Sequence, residues 1–549
     1  MESLLRVLQT LGQGGQYIST IHKQIIDRKA VHTAAYLPPM YFDSPLEMRR
    51  DPLEGGGWVE NKTSTPPSAA SNQCLIQVGS AMCRNAAQGI KTALPQNLFD
   101  EKVNEIFYGI VSLHISRSVQ VDGYEPGDVI KTGLLLAHGL VVTHRGSTSY
   151  FDQIKITLPV GIEVRAHVIF MHEAADLILV EYNPAGLPHS PELKPICLSE
   201  RRLKEGDDVY FLNNFEQRNV VRTYVELLSH RTYGGDDSFY MPFHHETVLL
   251  TSSLSKRESG VITYGDGKVA GLQKVWLDHD DGQNYYLPAS RIADVFELWK
   301  SNQLGNIRFQ DFDVKSVSHA DAFWESLPDH TVSALAAQYS HDQQLVVDRV
   351  PLHCTSLSGK DELHPLREGD VILELDKERV TQSSDLRYIF MDDLIPVRVL
   401  RDRKVVDCLV PTIPIDRTQI TEFAYVCGTT FHKPSLRSKL SRKCHSEVFA
   451  AANRTCSPGH VYNFPTQTFI DRVNGKEIAT MEDFKSAITF PDKKYFTLRT
   501  LSFYTEQTAV LKKSEDHFPS FIYTTDGRSV TRTAVRCVEN VDDEDVNQE

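Results

Sequence analysis

The chain has 549 residues, with 58 Lys and Arg against 72 Asp and Glu, and so a formal charge of −14. With 41% hydrophobic and 24% charged residues, it reads as a globular protein of about three or four domains, not a fibre or a disordered chain. The acidic balance argues against nucleic acid held along the molecule, because phosphate contacts are made chiefly by Lys and Arg.

In chain order, Leu4, Leu5, Leu8 and Leu11 share one helical face, with no cationic flank and no small-residue cleavage site. This predicts an amphipathic helix and no signal peptide. No window approaches the ~18 apolar residues of a membrane helix, so no transmembrane segment and no membrane partner are expected. The nine cysteines are irregularly spaced with no Cys-x-x-Cys pair, which indicates neither a disulfide framework nor a zinc ribbon. The reading is a reducing compartment, nucleus or cytoplasm.

Gly55-Gly-Gly57 and the Ser/Thr/Pro-rich stretch 61–72 mark a link, so 1–100 is read as N-terminal helix and linker. From 101 to 302, short apolar runs recur between Gly, Asp, Pro and Asn clusters: 107–116, 133–143, 154–158, 164–170, 177–182, 209–212, 247–251, 261–263, 269–276 and 284–288. Such spacing predicts a barrel or sandwich. Ile292, Val295, Phe296 and Trp299 then predict a closing helix over 290–301. Two further modules, 303–415 and 416–525, repeat the order strand, Gly or Asx turn, strand, Ser/Thr-led helix, strand, with helices near 384–390 and after Thr480. The acidic stretch 526–549 is read as a disordered tail.

Leu366-Arg-Glu-Gly-Asp-Val-Ile-Leu-Glu-Leu-Asp376 and Phe469-Ile-Asp-Arg-Val-Asn-Gly475 resemble the core phrase of PDZ domains. Upstream, the stretches Thr132–Arg145, Asp176–Tyr182 and Glu258–Ile262 resemble the His-, Asp- and Ser-bearing segments of HtrA-type serine proteases. The phrases Phe42–Trp58, Cys427–Pro434 and Lys512–Pro519 are similar to the second, eroded half of the fungal nuclear HtrA-like proteases. The resemblance implies a mainly β chain with α+β modules: a trypsin-like double β-barrel followed by two PDZ-like domains. It also implies a nuclear setting and a link to protein quality control or cell death; whether the chain is a fragment of a longer two-block protein is left open.

A trypsin-like hydrolase needs a Ser hydroxyl, a His base, a carboxylate orienting that His, and backbone donors for the oxyanion, all together. Laid on the family pattern, Ser259 takes the nucleophile position and Asp176 the carboxylate position, while Gly146 stands where the base belongs. His144 lies two residues early, on the same face of an extended strand. Arg257 replaces a glycine of the oxyanion loop, a backbone conformation that side chains adopt poorly. His144, Asp176 and Ser259 therefore read as a remnant triad.

For peptide capture, a PDZ-like domain adds a strand to a sheet edge and holds the terminal carboxylate on backbone N–H groups. Gly428-Thr429-Thr430-Phe431 is the candidate carboxylate loop, and 312–323 the counterpart region of the other module. The basic run 437–443 reads as a solvated helix face. His244-His-Glu246 and Asp278-His-Asp-Asp-Gly282 lack metal-ligand spacing. The expected function is an eroded HtrA-type protein binding peptides or protein C-termini as scaffold or regulator, with no cofactor, no metal and no nucleic acid. The alternative is an active endopeptidase using Ser259. A homo-oligomer is left open.

Overall fold

The computed structural model describes residues 102–535, except 103–104, 118, 120, 122–125, 147, 160, 186, 188–192, 214–217, 233–243, 253–258, 275–283, 319–342, 352, 356–360, 382–384, 436–437, 440–445, 490–494, 503–504 and 515. The expected N-terminal helix and linker, the phrase at 42–58, Arg257, Asp278–Gly282, most of the basic run 437–443 and the acidic residues after 535 lie outside them. All the described residues belong to the larger of two compact units, Ala93–Glu549.

Twelve strands come first: β1 (Ile110–Arg117), β2 (Gly127–Ala137), β3 (Leu140–His144), β4 (Gln153–Thr157), β5 (Glu163–His172), β6 (Leu177–Tyr182), β7 (Asp208–Asn213), β8 (Asn219–Thr232), β9 (His244–Leu250), β10 (Gly260–Thr263), β11 (Val269–Lys274) and β12 (Asn284–Pro288). They close into two six-stranded barrels, ordered β1-β2-β3-β6-β5-β4 and β10-β11-β12-β9-β8-β7. Closure removes the exposed edges that an open sheet would present. This is the double β-barrel expected from the sequence. Leu113, Val141, Ile156 and Val180 fill the first barrel, and Val209, Phe211, Val248 and Ile262 the second.

Two expectations change in detail. The single run 133–143 is a hairpin, because Gly139 takes a φ of +92 and turns β2 back into β3. β8 was not anticipated, although Thr223 and Val225 alternate with exposed Tyr224 in the pattern of a half-buried strand. The closing helix α1 (Ala289–Lys300) buries Ala289, Ile292 and Val295.

The first C-terminal module contains β13 (Arg308–Gln310), β14 (Asp313–Ser318), β15 (Gln343–Arg349), β16 (His353–Thr355), β17 (Asp361–Leu363), β18 (Val371–Leu375), β19 (Glu378–Arg379), β20 (Leu394–Arg401) and β21 (Lys404–Pro414). The expected helix near 384–390 does not continue there: residues 386–389 are non-helical and Phe390 forms an isolated bridge with Arg308. Asp385 instead accepts from the Thr381 N–H and hydroxyl, each at 3.0 Å.

The second module has β22 (Glu422–Val426), β23 (Thr429–His432), β24 (Phe449–Asn453), α2 (Pro458–Val461), β25 (Thr468–Val473), β26 (Lys476–Glu477), α3 (Met481–Ile488), β27 (Tyr495–Leu501), β28 (Glu506–Lys512), β29 (Phe521–Thr525) and β30 (Val530–Ala534). Its sheet runs β28-β27-β25-β24-β23-β22-β29-β30. The expected helix after Thr480 is α3, started by a reciprocal capping box of Thr480 and Asp483. β30 lies within the stretch read as a disordered tail, and it is ordered by antiparallel pairing with β29. No helix among the described residues is long and apolar enough to cross a membrane.

Candidate active site

β3 is buried along its whole length and pairs antiparallel with β6, with His144 opposite Leu177. This register brings the end of β3 beside the turn that leads into β6. Asp176 closes that turn with a φ of +51, a conformation Asp tolerates better than most side chains. Its Oδ2 lies 3.0 Å from His144 Nδ1, and its Oδ1 accepts the Gly146 N–H at 2.9 Å. The sequence-derived pair His144 and Asp176 is thus in direct contact.

The other nitrogen of His144, Nε2, lies 3.3 Å from the Leu272 carbonyl oxygen. A carbonyl oxygen only accepts hydrogen bonds, so Nε2 faces an acceptor in this arrangement.

Gly146 has a φ of +44, and a Cβ built on it would lie 2.9 Å from Lys274 Nζ and 3.2 Å from Lys131 Nζ. Two lysine amines therefore stand where the side chain of a base at position 146 would start. Lys131 Nζ donates to the His144 carbonyl at 3.2 Å, the Arg145 carbonyl at 2.6 Å and Thr148 Oγ1 at 2.5 Å. Neither lysine was singled out from the sequence. A charged residue on a strand reads as a solvated face, and only closure of the two barrels brings β2 and β11 to one point.

The electrostatics follow from burial. Burial alone would raise the Asp176 carboxyl, but Lys274, the His144 hydrogen bond and the Gly146 N–H outweigh it and hold the group well below the usual carboxylate range. Burial pulls both lysine amines down. Lys274 lowers Lys131 further, and Asp176 opposes the shift in each. The charges form one coupled cluster with Asp176 as its anion.

Ser259 is half-buried and directly precedes β10. Gly260 pairs with Gln273 in the β10–β11 ladder, so the antiparallel register sets Ser259 against Lys274. Arg257 falls outside the described residues, as does the rest of the segment leading to Ser259.

Gly428 lies elsewhere, in the two-residue turn Cys427-Gly428 that joins β22 to β23, with φ of +52 and +79 at the two residues. Thr429, Thr430 and Phe431 follow on β23, buried and paired on one side with β22 and on the other with β24. The backbone groups of Thr429–Phe431, expected in the carboxylate loop, are thus engaged in two ladders. Of the counterpart region 312–323, only 312–318 is described, and 313–318 runs as β14.

Glu246, from the His244-His-Glu246 phrase, pairs with Arg291 at 2.7 Å. Among the described residues no three His, Cys, Asp or Glu side chains gather as a metal site.

No protein-family model matches the chain. Among curated proteins, the chain is 25% identical over 439 residues to the pro-apoptotic serine protease NMA111 of Pyricularia oryzae, a match covering 76% of this chain and 42% of that protein. It is 26% identical over 438 residues to the protein of the same name from Aspergillus clavatus, again covering 76% and 42%. The chain thus spans about two-fifths of the length of the curated relatives it matches. Among solved structures, the HtrA-type protease AlgW with tripeptide shows 16% identity and a TM-score of 0.40, covering 57% of this chain and 96% of that one.

Proposed function

On the premise that this chain is a homologue of the HtrA-like pro-apoptotic serine proteases, we propose that it is a catalytically eroded member that binds peptides or protein termini through its C-terminal, PDZ-like modules. It would act as a scaffold or regulator in nuclear protein quality control or cell death. The observation that carries the eroded reading is Gly146, which has no side chain to accept a proton and whose Cβ position is hemmed in by the amines of Lys274 and Lys131. Losing one triad member typically costs several orders of magnitude in kcat.

A second reading, an active endopeptidase, is favoured by one contact, the 3.0 Å approach of His144 to Asp176. In that reading His144 is a displaced base, Asp176 orients it and Ser259 attacks. The His144 Nε2 would then have to accept the Ser259 proton in place of its contact with the Leu272 carbonyl.

Hydrolysis of casein by the full chain and by Ser259→Ala, between about pH 6 and 9 where a His base titrates, separates the two. Equal, background-level cleavage by both is expected. Turnover that disappears in Ser259→Ala would overturn the eroded reading.

A further inference from the structure

The peptide-binding reading above needs a sheet edge, and in the second C-terminal module the strand next to β23 is β22. Its outer side is occupied by the chain itself. β29 lies antiparallel on β22 in the register Glu422–Thr524, Phe423–Tyr523, Ala424–Ile522 and Tyr425–Phe521. The connection from β28 to β29 spans only residues 513–520, so the segment is tethered close by.

β29 has the character of a guest strand. Phe423, Ala424 and Val426 of β22 are buried, whereas all five residues of β29 remain half-exposed. Its side chains alternate as a strand requires. Ile522 packs on the apolar cluster that includes Ala424, Met481 and Phe484. Tyr523 points the other way and stacks on Phe423, with centroids 4.5 Å apart and planes 10° apart.

Helix α3 stands beside the same edge, with Lys485 Nζ 3.2 Å from Glu422 Oε2. At the Glu422 end lies an open cavity of about 310 Å³, lined by Thr421, Glu422, Lys433, Glu447, Met481 and Lys485. The C-terminal end of a strand running as β29 does points toward this cavity.

We infer that the outer edge of β22 is the module's strand-accepting site and that β29 is its built-in occupant, which an extended external peptide with apolar residues at alternate positions must displace. This rests on the peptide-binding reading and adds its regulation. Main-chain pairing supplies affinity without sequence demands, while Ile522 and its equivalents in a ligand supply selectivity. Intramolecular occupancy lowers the apparent affinity for any competitor by the fraction of time the edge is free.

The test uses the full chain and a fluorescent synthetic peptide, Pro-Ser-Phe-Ile-Tyr-Thr-Thr-Asp, copied from residues 519–526. In Ile522→Asp the resident strand is weakened. In Ala424→Cys/Ile522→Cys, a disulfide between register partners locks it. The expected result by fluorescence anisotropy is weak binding to the parent, binding at least tenfold tighter to Ile522→Asp, and none to the oxidised double variant, with binding at least as tight as the parent's after reduction. Equal binding to the parent and the oxidised variant would overturn the resident-strand inference while leaving peptide binding intact. No binding to Ile522→Asp, with its circular dichroism unchanged, would overturn both. Should Ile522→Asp fail to fold, the oxidised and reduced double variant decides alone: the inference stands only if reduction restores binding.

Discussion

A Cβ added to Gly146 would sit 2.9 Å from Nζ of Lys274. A side chain at this position would therefore meet a buried amine, so one substitution alone is not expected to build a triad. Gly146→His is expected to give no casein hydrolysis above the parent. It should also lower the thermal midpoint by a few degrees, as expected for about 1 kcal/mol lost by a side chain at positive φ. Substantial new proteolysis in this variant would show that the lysines yield freely.

Asp176 is the anion that Lys274 and His144 share. Asp176→Asn leaves buried cations without their counter-charge, which typically costs about 3–5 kcal/mol. Urea unfolding should show that loss, while Ser259→Ala stays within about 0.5 kcal/mol of the parent. Equal midpoints for the two variants would remove Asp176 from a structural role.

His172 is buried, accepts the Ala175 N–H on Nδ1 at 3.1 Å and donates Nε2–H to the Tyr388 carbonyl at 2.8 Å. It thereby fastens the turn before Asp176 to the first C-terminal module as a neutral ring. Burial pushes it down from 6.5 to about 4. The unfolded chain therefore takes up the proton first: the stabilisation is complete above about pH 6.5 and is lost as pH falls toward 4, on the order of 3 kcal/mol in all. Unfolding midpoints measured between pH 7 and 4 should fall in the parent and fall less in His172→Gln.

Gly428 combines a φ of +79 with a Cβ position 2.0 Å from Ser457 Cβ. Ser457 caps α2 by accepting the His460 N–H, so it cannot withdraw without cost. Gly428→Ala is expected to destabilise the second C-terminal module by several kcal/mol, from overpacking and backbone strain together. Loss of amide-exchange protection in β22 to β24, with the barrels unaffected, is the pattern to look for.

The barrels were legible because their strands are short apolar runs between turn formers, and α1 and α3 because their apolar spacing and, for α3, its cap are local signals. β8 escaped because its signal is alternation, Thr223 and Val225 against Tyr224, rather than a run. In the candidate site, Asp176, His144 and Ser259 could be named from local phrases. Lys131 and Lys274 could not, since they stand 143 positions apart and meet only once two separate ladders are in register. Position 428 was read from its glycine, but a glycine also serves a two-residue hairpin turn, and the pairing partners that decide between the uses lie outside the motif.

The pairing of β22 with β29 also sets an order of events during synthesis. β22 leaves the ribosome roughly a hundred residues before β29, which at about 5–20 residues per second leaves its edge bare for roughly 5–20 s. For that interval the nascent module presents an uncapped strand of Phe, Ala, Tyr and Val, the kind of edge that recruits other chains. A chaperone that shields residues 422–426 until the β29–β30 hairpin emerges would raise the yield of folded protein, whereas one acting later would find the edge already closed.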